Sequence, residues 1–323
     1  MAREVTTDTN GLATGVTYID TSTGRENYVR ARIVVLAASA CESARLLLNS
    51  RSSRFPQGLA NSSGTVGRYL TDTTGVGVSG FIPKLMDRVP HNEDGVGGAH
   101  LYMPWWLDNR TLDFPRGYHI EIGGGLDMPS AGFLGGIHKY TGTGTNGQAI
   151  APGGYGRRLK NDYRRLYGSA VCFSGRGEMV PNEPRYCEID PVVVDRWGIP
   201  VLRFHFRWTD YEWKQALHMQ QTFRGLIEQM GGTPLSPMPG PDQGYGIAPG
   251  GRIIHEVGVT RMGHSPSTSV LNSHCQAHDV KNLFVADGGP FVTNADKNVT
   301  WTILALAMRT SEHIADQRKA GAI

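Results

Sequence analysis

Cysteine is scarce in this chain of 323 residues, with four at Cys41, Cys172, Cys187 and Cys275. None forms a C-x-x-C pair, so neither a zinc site nor a disulfide framework is indicated, and packing is their expected role. An excess of one charge is missing too. The 32 Lys and Arg stand against 29 Asp and Glu, for a formal net charge of +3. With the basic residues dispersed, nucleic acid and anionic membrane surfaces are poor partners, and a small-molecule substrate is expected. No apolar run approaches the ~20 residues of a membrane span. Residues 1–10 carry no apolar signal core, and localisation stays open between cytoplasm and periplasm.

Several catalytic motifs are absent or incomplete. The run Gly142-Thr143-Gly144-Thr145-Asn146-Gly147 spells G-x-G-x-x-G. No apolar strand precedes it and a proline and a double glycine follow it, so it reads as a loop and not as a dinucleotide fingerprint. His255-Glu256 begins H-E-x-x-H, but Val259 stands where the second histidine belongs. No metal is expected, and no serine sits in a G-x-S-x-G elbow.

Glycine is abundant, at 42 residues with 18 prolines, which implies many tight connections. The length suits two domains, or one large domain with an insertion. Residues 12–20 alternate as a strand, 21–25 form a turn and 26–32 read as the hairpin partner. Residues 31–37 (ARIVVLA) are apolar throughout, as a strand buried on both faces would be. They lead into a helix with Cys41, Ala44, Arg45 and Leu48 at helical spacing. From about Gly75 to Pro249 short strand patterns separated by glycine loops predict an antiparallel sheet. One helix interrupts it at residues 209–230, with Trp213, Ala216, Leu217, Phe223, Ile227 and Met230 expected on its inner face. Residues 281–288 (KNLFVADG) predict a buried strand ending in an Asp-Gly turn, and 298–317 a helix capped by Asn298.

Singly, His255 suits a core histidine, Asp287-Gly288 an ordinary turn and Asn298 an ordinary cap. Together they place a histidine near a helix N-terminus that follows a strand and glycine turn, a setting for an electron-rich ring. Four collinear blocks then resemble the glucose-methanol-choline flavin oxidoreductases. These are VVLAASACESARLLLNS, NSSGTVGRYLTD, HEVGVTRMG, and the strand ending in Asp-Gly followed by KNVTWTILALAMR. Val259, Ser39 and Val299 depart from the threonine, glycine and proline of the family pattern, a variation pointing toward sugar or glycoside dehydrogenases.

The resemblance implies an α/β plus α+β fold. An incomplete FAD/NAD(P)-binding, Rossmann-like domain over residues 1–74 and 251–323 would be split by a substrate-binding domain over 75–250, built on an antiparallel sheet with flanking helices. It implies FAD as cofactor and oxidation of a CH-OH group in a sugar, glycoside or other alcohol. His255 would be the base and Asn298 would hold the same substrate oxygen. Asp287, Gly288, Val299, Thr300, Ala37, Ala38 and Glu42 would lie along the cofactor. Trp105, Trp106, Tyr118 and His119 are candidates for a sugar pocket, with packing the simpler role for each. Family members open with a G-x-G-x-x-G segment, so the resemblance also implies a nucleotide-binding segment upstream or on a separate N-terminal half or subunit, and weak FAD binding by this chain alone. The electron acceptor is left open. The rival readings are a truncated or non-catalytic partner chain and a carbohydrate-binding module without redox activity.

Overall fold

The computed structural model describes residues 1–88, 101–104, 110–124, 156–166 and 168–323. In chain order its elements begin with β1 (Ala2–Thr7), β2 (Ala13–Ile19), β3 (Glu26–Arg30), β4 (Val34–Leu36), α1 (Ala40–Asn49) and β5 (Thr74–Phe81). Next come β6 (Leu101–Pro104), β7 (Tyr118–Gly124), α2 (Arg157–Leu166), β8 (Ala170–Gly177), β9 (Tyr186–Val194) and β10 (Pro200–His205). The last are α3 (Asp210–Gln229), β11 (Thr233–Pro234), β12 (Leu283–Val285) and α4 (Thr300–Lys319). They form two compact units. The first comprises Met1–Thr73, Met179–Arg207 and Gly250–Ile323, and the second Thr74–Glu178 and Trp208–Pro249.

In the first unit every second side chain of β2 is buried, the period of a strand with one face on a core. β2 pairs antiparallel with β1 and with β3, from Gly15 opposite Arg30 to Ile19 opposite Glu26. β4 and β12 run parallel, Val34 beside Leu283 and Leu36 beside Val285. Residues 31–37 do not form a strand buried on both faces. Val34 and Leu36 turn inward while Val35 is 46% exposed, because among the described residues the strand has one partner and one covered face. The core gathers Ala44, Leu47, Val259, Leu271, Leu283 and Val285. Burying a side chain such as Leu47 contributes about 1.5–3 kcal/mol over leaving it in water.

The β9–β10 hairpin, within the stretch assigned from sequence to the substrate domain, packs in this unit through Ile189, Leu202 and Phe206. Arg45 of α1 ties it down. Its Nη2 lies 2.7 Å from Asp195 Oδ2 and its Nε donates to Pro200 O at 2.8 Å. Two cysteines meet here as well, since the Cys41 thiol is pushed up by its hydrogen bond to Cys187 and then by burial. Cys187 and Cys275 are buried as expected, whereas Cys172 is exposed.

The second unit carries a five-stranded antiparallel sheet in the order β11-β5-β8-β7-β6. α3 lies on it, burying Ala216, Met219, Phe223 and Ile227 against Val76, Val78, Ile120 and Phe173. The approach is close. A Cβ on Gly175 would sit 2.5 Å from Met219 Sδ, so only glycine fits there. The inner face of α3 differs from the expected one. Trp213 is 45% and Met230 39% exposed, and Gln215 turns inward to donate to Gly117 O at 3.2 Å. At the helix start the Glu212 carboxylate accepts from Thr209 N–H at 2.7 Å, the return half of a capping box.

α4 also begins differently from the expectation. Its N-cap is Val299, in right-handed helical geometry and with no side-chain cap bond, so Asn298 lies one place too early to cap it. The first turn of α4 thus keeps N–H groups that no cap occupies. No helix among the described residues is long and apolar enough to cross a membrane.

Candidate active site

Where parallel strands end, backbone turns into helices or glycine turns, and ligands of open α/β sheets collect there. In the first unit a cavity of about 730 Å³ opens at that place. Its wall takes Ser39 to Glu42 after β4, Asp287 and Gly288 after β12, and Val299, Thr300 and Ile303 at the start of α4. Two helix N-termini, α1 and α4, therefore face one space with the positive ends of their dipoles. Leu70, Phe204, Phe206 and Ile254 add apolar surface, and Asp72 and Glu256 add carboxylates.

Asp287 is buried. Its Oδ2 accepts from Ser43 Oγ at 2.5 Å and its Oδ1 from Gly289 N–H at 2.8 Å. Burial pushes its carboxyl up, while these bonds act the other way by favouring the ion. Gly288 is closely packed, because a Cβ would meet Glu256 O and Val257 Cγ1 at 3.1 Å each and these neighbours would have to give way slightly. Burial also pushes the half-buried Glu256 carboxyl up, and the charge of Asp72 adds to this.

His255 lies between two cavity-lining residues, Ile254 and Glu256, and is not itself on the wall. Its position is nevertheless tightly held. The backbone N–H donates to Asp72 Oδ1 at 3.0 Å, the carbonyl accepts from Asn294 Nδ2 at 3.0 Å, and ring Nδ1 sits 3.1 Å from Thr73 Oγ1. Asp72 is almost fully buried and also accepts from Thr73 N–H at 2.8 Å and Gly251 N–H at 3.2 Å. These bonds bracket Ile254, whose φ of 61° is a costly conformation for a β-branched residue.

The sequence-predicted residues divide accordingly. Asp287, Gly288, Val299, Thr300 and Glu42 share the cavity wall. Asn298 is exposed and off the wall, next to Val299. Ala38 lines a second cavity of about 410 Å³ with Glu42 and Arg45, and Ala37 lines neither. Tyr118 and His119 are fully buried in the second unit, where Tyr118 Oη is 2.7 Å from His218 Nδ1. Trp105, Trp106 and the run Gly142 to Gly147 lie outside the described residues. Asp72, Thr73, Ser43 and Glu256 were missed. Asp72 closes the NSSGTVGRYLTD block, Ser43 lies in VVLAASACESARLLLNS and Glu256 in HEVGVTRMG, so a signal was available for these three and none for Thr73.

Residues 185–307 match the family described as GMC oxidoreductase. This stretch is a GMC oxidoreductase domain. It is 33% identical over 320 residues to a 2-methyl-1,2-propanediol dehydrogenase of Mycolicibacterium austroafricanum, covering 95% of this chain and 52% of that protein. It is 28% identical to the fructose dehydrogenase large subunit of Gluconobacter japonicus, covering 98% of this chain and 53% of that one. Among solved structures, a formate oxidase of Aspergillus oryzae RIB40, determined in work on FAD modification, superposes with a TM-score of 0.60. That match has 16% identity and covers 99% of this chain and 60% of the other, a likeness of fold. The chain spans about half the length of the curated relatives it matches.

Proposed function

We propose that this chain forms the catalytic part of an FAD-dependent oxidoreductase that removes hydrogen from a CH-OH group of a sugar, glycoside or other alcohol. The observation carrying the proposal is the cavity at the ends of β4 and β12, walled by two helix N-termini and by Asp287-Gly288, with His255 held beside it. Such a wall fits a flavin. Apolar Phe204, Phe206 and Ile254 suit a planar ring, and helix N-termini suit its electron-rich edge and phosphates. The names of the two relatives support an alcohol or sugar as substrate class.

In this reading Val299 and Thr300 lie along the ring's polar edge and Asp287, Gly288 and Glu42 along the rest of the cofactor. Ala37 and Ala38 belong to the same crossover. FAD, when bound, supplies the hydride acceptor. His255 takes the hydroxyl proton, and Asn298, an amide unable to act as a base, orients the same oxygen. The domain that binds the nucleotide would be Rossmann-like and split in sequence, completed by a segment upstream or on a second chain.

The test uses the chain together with that segment. His255→Asn should lower turnover by ~10²–10⁴-fold, the usual contribution of a positioned base, with flavin content unchanged. Turnover close to wild type would remove the base. Dialysis of the chain alone should strip its flavin, and stoichiometric flavin afterwards would contradict the need for a second segment.

A further inference from the structure

We infer that Thr73 is a positioning residue that sets the tautomer of His255, accepting a hydrogen bond from Nδ1–H so that Nε2 keeps its lone pair. The inference rests on the reading of His255 as a base. Its physical core is a contact between two side chains 182 residues apart, Thr73 Oγ1 and His255 Nδ1 at 3.1 Å.

The contact is built to hold its geometry. Thr73 is fully buried, and its branched Cβ leaves few side-chain rotamers. Its backbone N–H donates to Asp72 Oδ1 at 2.8 Å, and the N–H of His255 donates to that same oxygen at 3.0 Å. One carboxylate oxygen thereby fixes the two backbones from which hydroxyl and ring project. Asn294 Nδ2 holds the carbonyl of His255 from the other side at 3.0 Å. His255 is thus held at its backbone N–H and C=O and at ring Nδ1.

Which ring nitrogen carries the proton is decided by the bond the other one makes. The Thr73–His255 bond can be drawn in two ways. If the hydroxyl donates to Nδ1, the neutral ring carries its proton on Nε2 and offers no lone pair there. If Nδ1–H donates to the hydroxyl, Nε2 keeps the lone pair that can take a proton. Only this second arrangement survives the transfer, because the imidazolium formed still donates from Nδ1. A hydroxyl can accept in both states without moving. Asp72, which accepts from the backbone N–H of His255, has a supporting role through Thr73.

The test is nitrogen-15 spectroscopy of the chain labelled at histidine imidazoles, with the His255 signals identified by their loss in His255→Gln. In the wild type and in Thr73→Ser, Nδ1 should be protonated and Nε2 not. In Thr73→Val the tautomer ratio should move toward Nε2–H by about fivefold to tenfold, the equilibrium weight of one hydrogen bond. In the flavin-loaded enzyme Thr73→Val should lower kcat with KM kept, and Thr73→Ser should restore it. A wild-type spectrum with the proton on Nε2 overturns the inference, and does so even if Thr73→Val does not fold. An unchanged tautomer in folded Thr73→Val overturns it as well. Full turnover by His255→Asn sinks the base assignment instead, so the two failures are distinguishable.

Discussion

Ser43 and Asp287, 244 residues apart, share a buried hydrogen bond of 2.5 Å that joins the first turn of α1 to the turn after β12. Ser43 Oγ also lies 3.3 Å from Ala38 N–H, which donates to it. One hydroxyl therefore links the two chain segments that follow β4 and β12 and line the cavity wall.

The burial of Asp287 predicts a pH dependence, against the pull of this bond. Because burial lifts the Asp287 carboxyl above its ordinary 3.8, the folded chain binds that proton more tightly than the unfolded chain does. Stability therefore falls as pH rises from 3.8 through the folded value. Asp287→Asn keeps an acceptor for Gly289 and carries no charge. Urea midpoints of variant and wild type, measured at pH about 4 and about 7, should differ more in favour of the variant at the higher pH. An offset independent of pH would contradict this.

Arg45 is mostly buried and reaches Asp195, Pro200 O and Ile199 O together. Arg45→Ala leaves a largely buried carboxylate without its cation, a loss of about 3–5 kcal/mol. Arg45→Lys should recover only part, since an ammonium cannot reproduce the fork. Denaturant unfolding checks both, and a loss below about 1 kcal/mol would reduce the contact to an ordinary surface pair.

Ile254 has a φ of 61° and is 76% exposed, so it combines backbone strain with little burial. Asparagine tolerates this region. Ile254→Asn should gain about 1 kcal/mol in chemical denaturation, and a loss of stability would show that the side chain is covered in solution.

His274 and His313 stack with ring centroids 4.0 Å apart, and Phe284 meets His313 edge-on. Burial, with the neighbouring His274 charge, lowers the His313 pKa below 6.5, against the pull of Asp316. The folded chain then binds fewer protons than the unfolded one, so stability falls as pH drops from 6.5 toward the folded value. His313→Gln should flatten this slope in urea midpoints measured over that range. An unaltered slope would place the titration elsewhere.

What could be read from sequence was local in origin. The hairpin of β2 and β3, the helices α1 and α3 and the strand β12 each announce themselves by the spacing of apolar residues over a few turns. Asp287, Gly288, Val299 and Thr300 were legible because they sit in blocks resembling a family. Thr73 lies one place beyond its block and carried no such mark, while Ser43, though inside a block, is a helix serine whose role comes only from a partner 244 residues away, as that of Thr73 comes from one 182 residues away. Asn298 misled because a cap is judged by residue type, whereas the helix begins at Thr300. On α3 polar Gln215 displaced the expected apolar position because a carbonyl at Gly117 needed a donor.

The parallel pairing of Val34 with Leu283 also governs biosynthesis. A ribosome adding about 5–20 residues per second leaves β4 waiting tens of seconds for β12, while the whole second unit is translated. During that interval Val34 and Leu36 have no mate. The length of the inserted unit thus sets how long β4 waits for its parallel partner during synthesis.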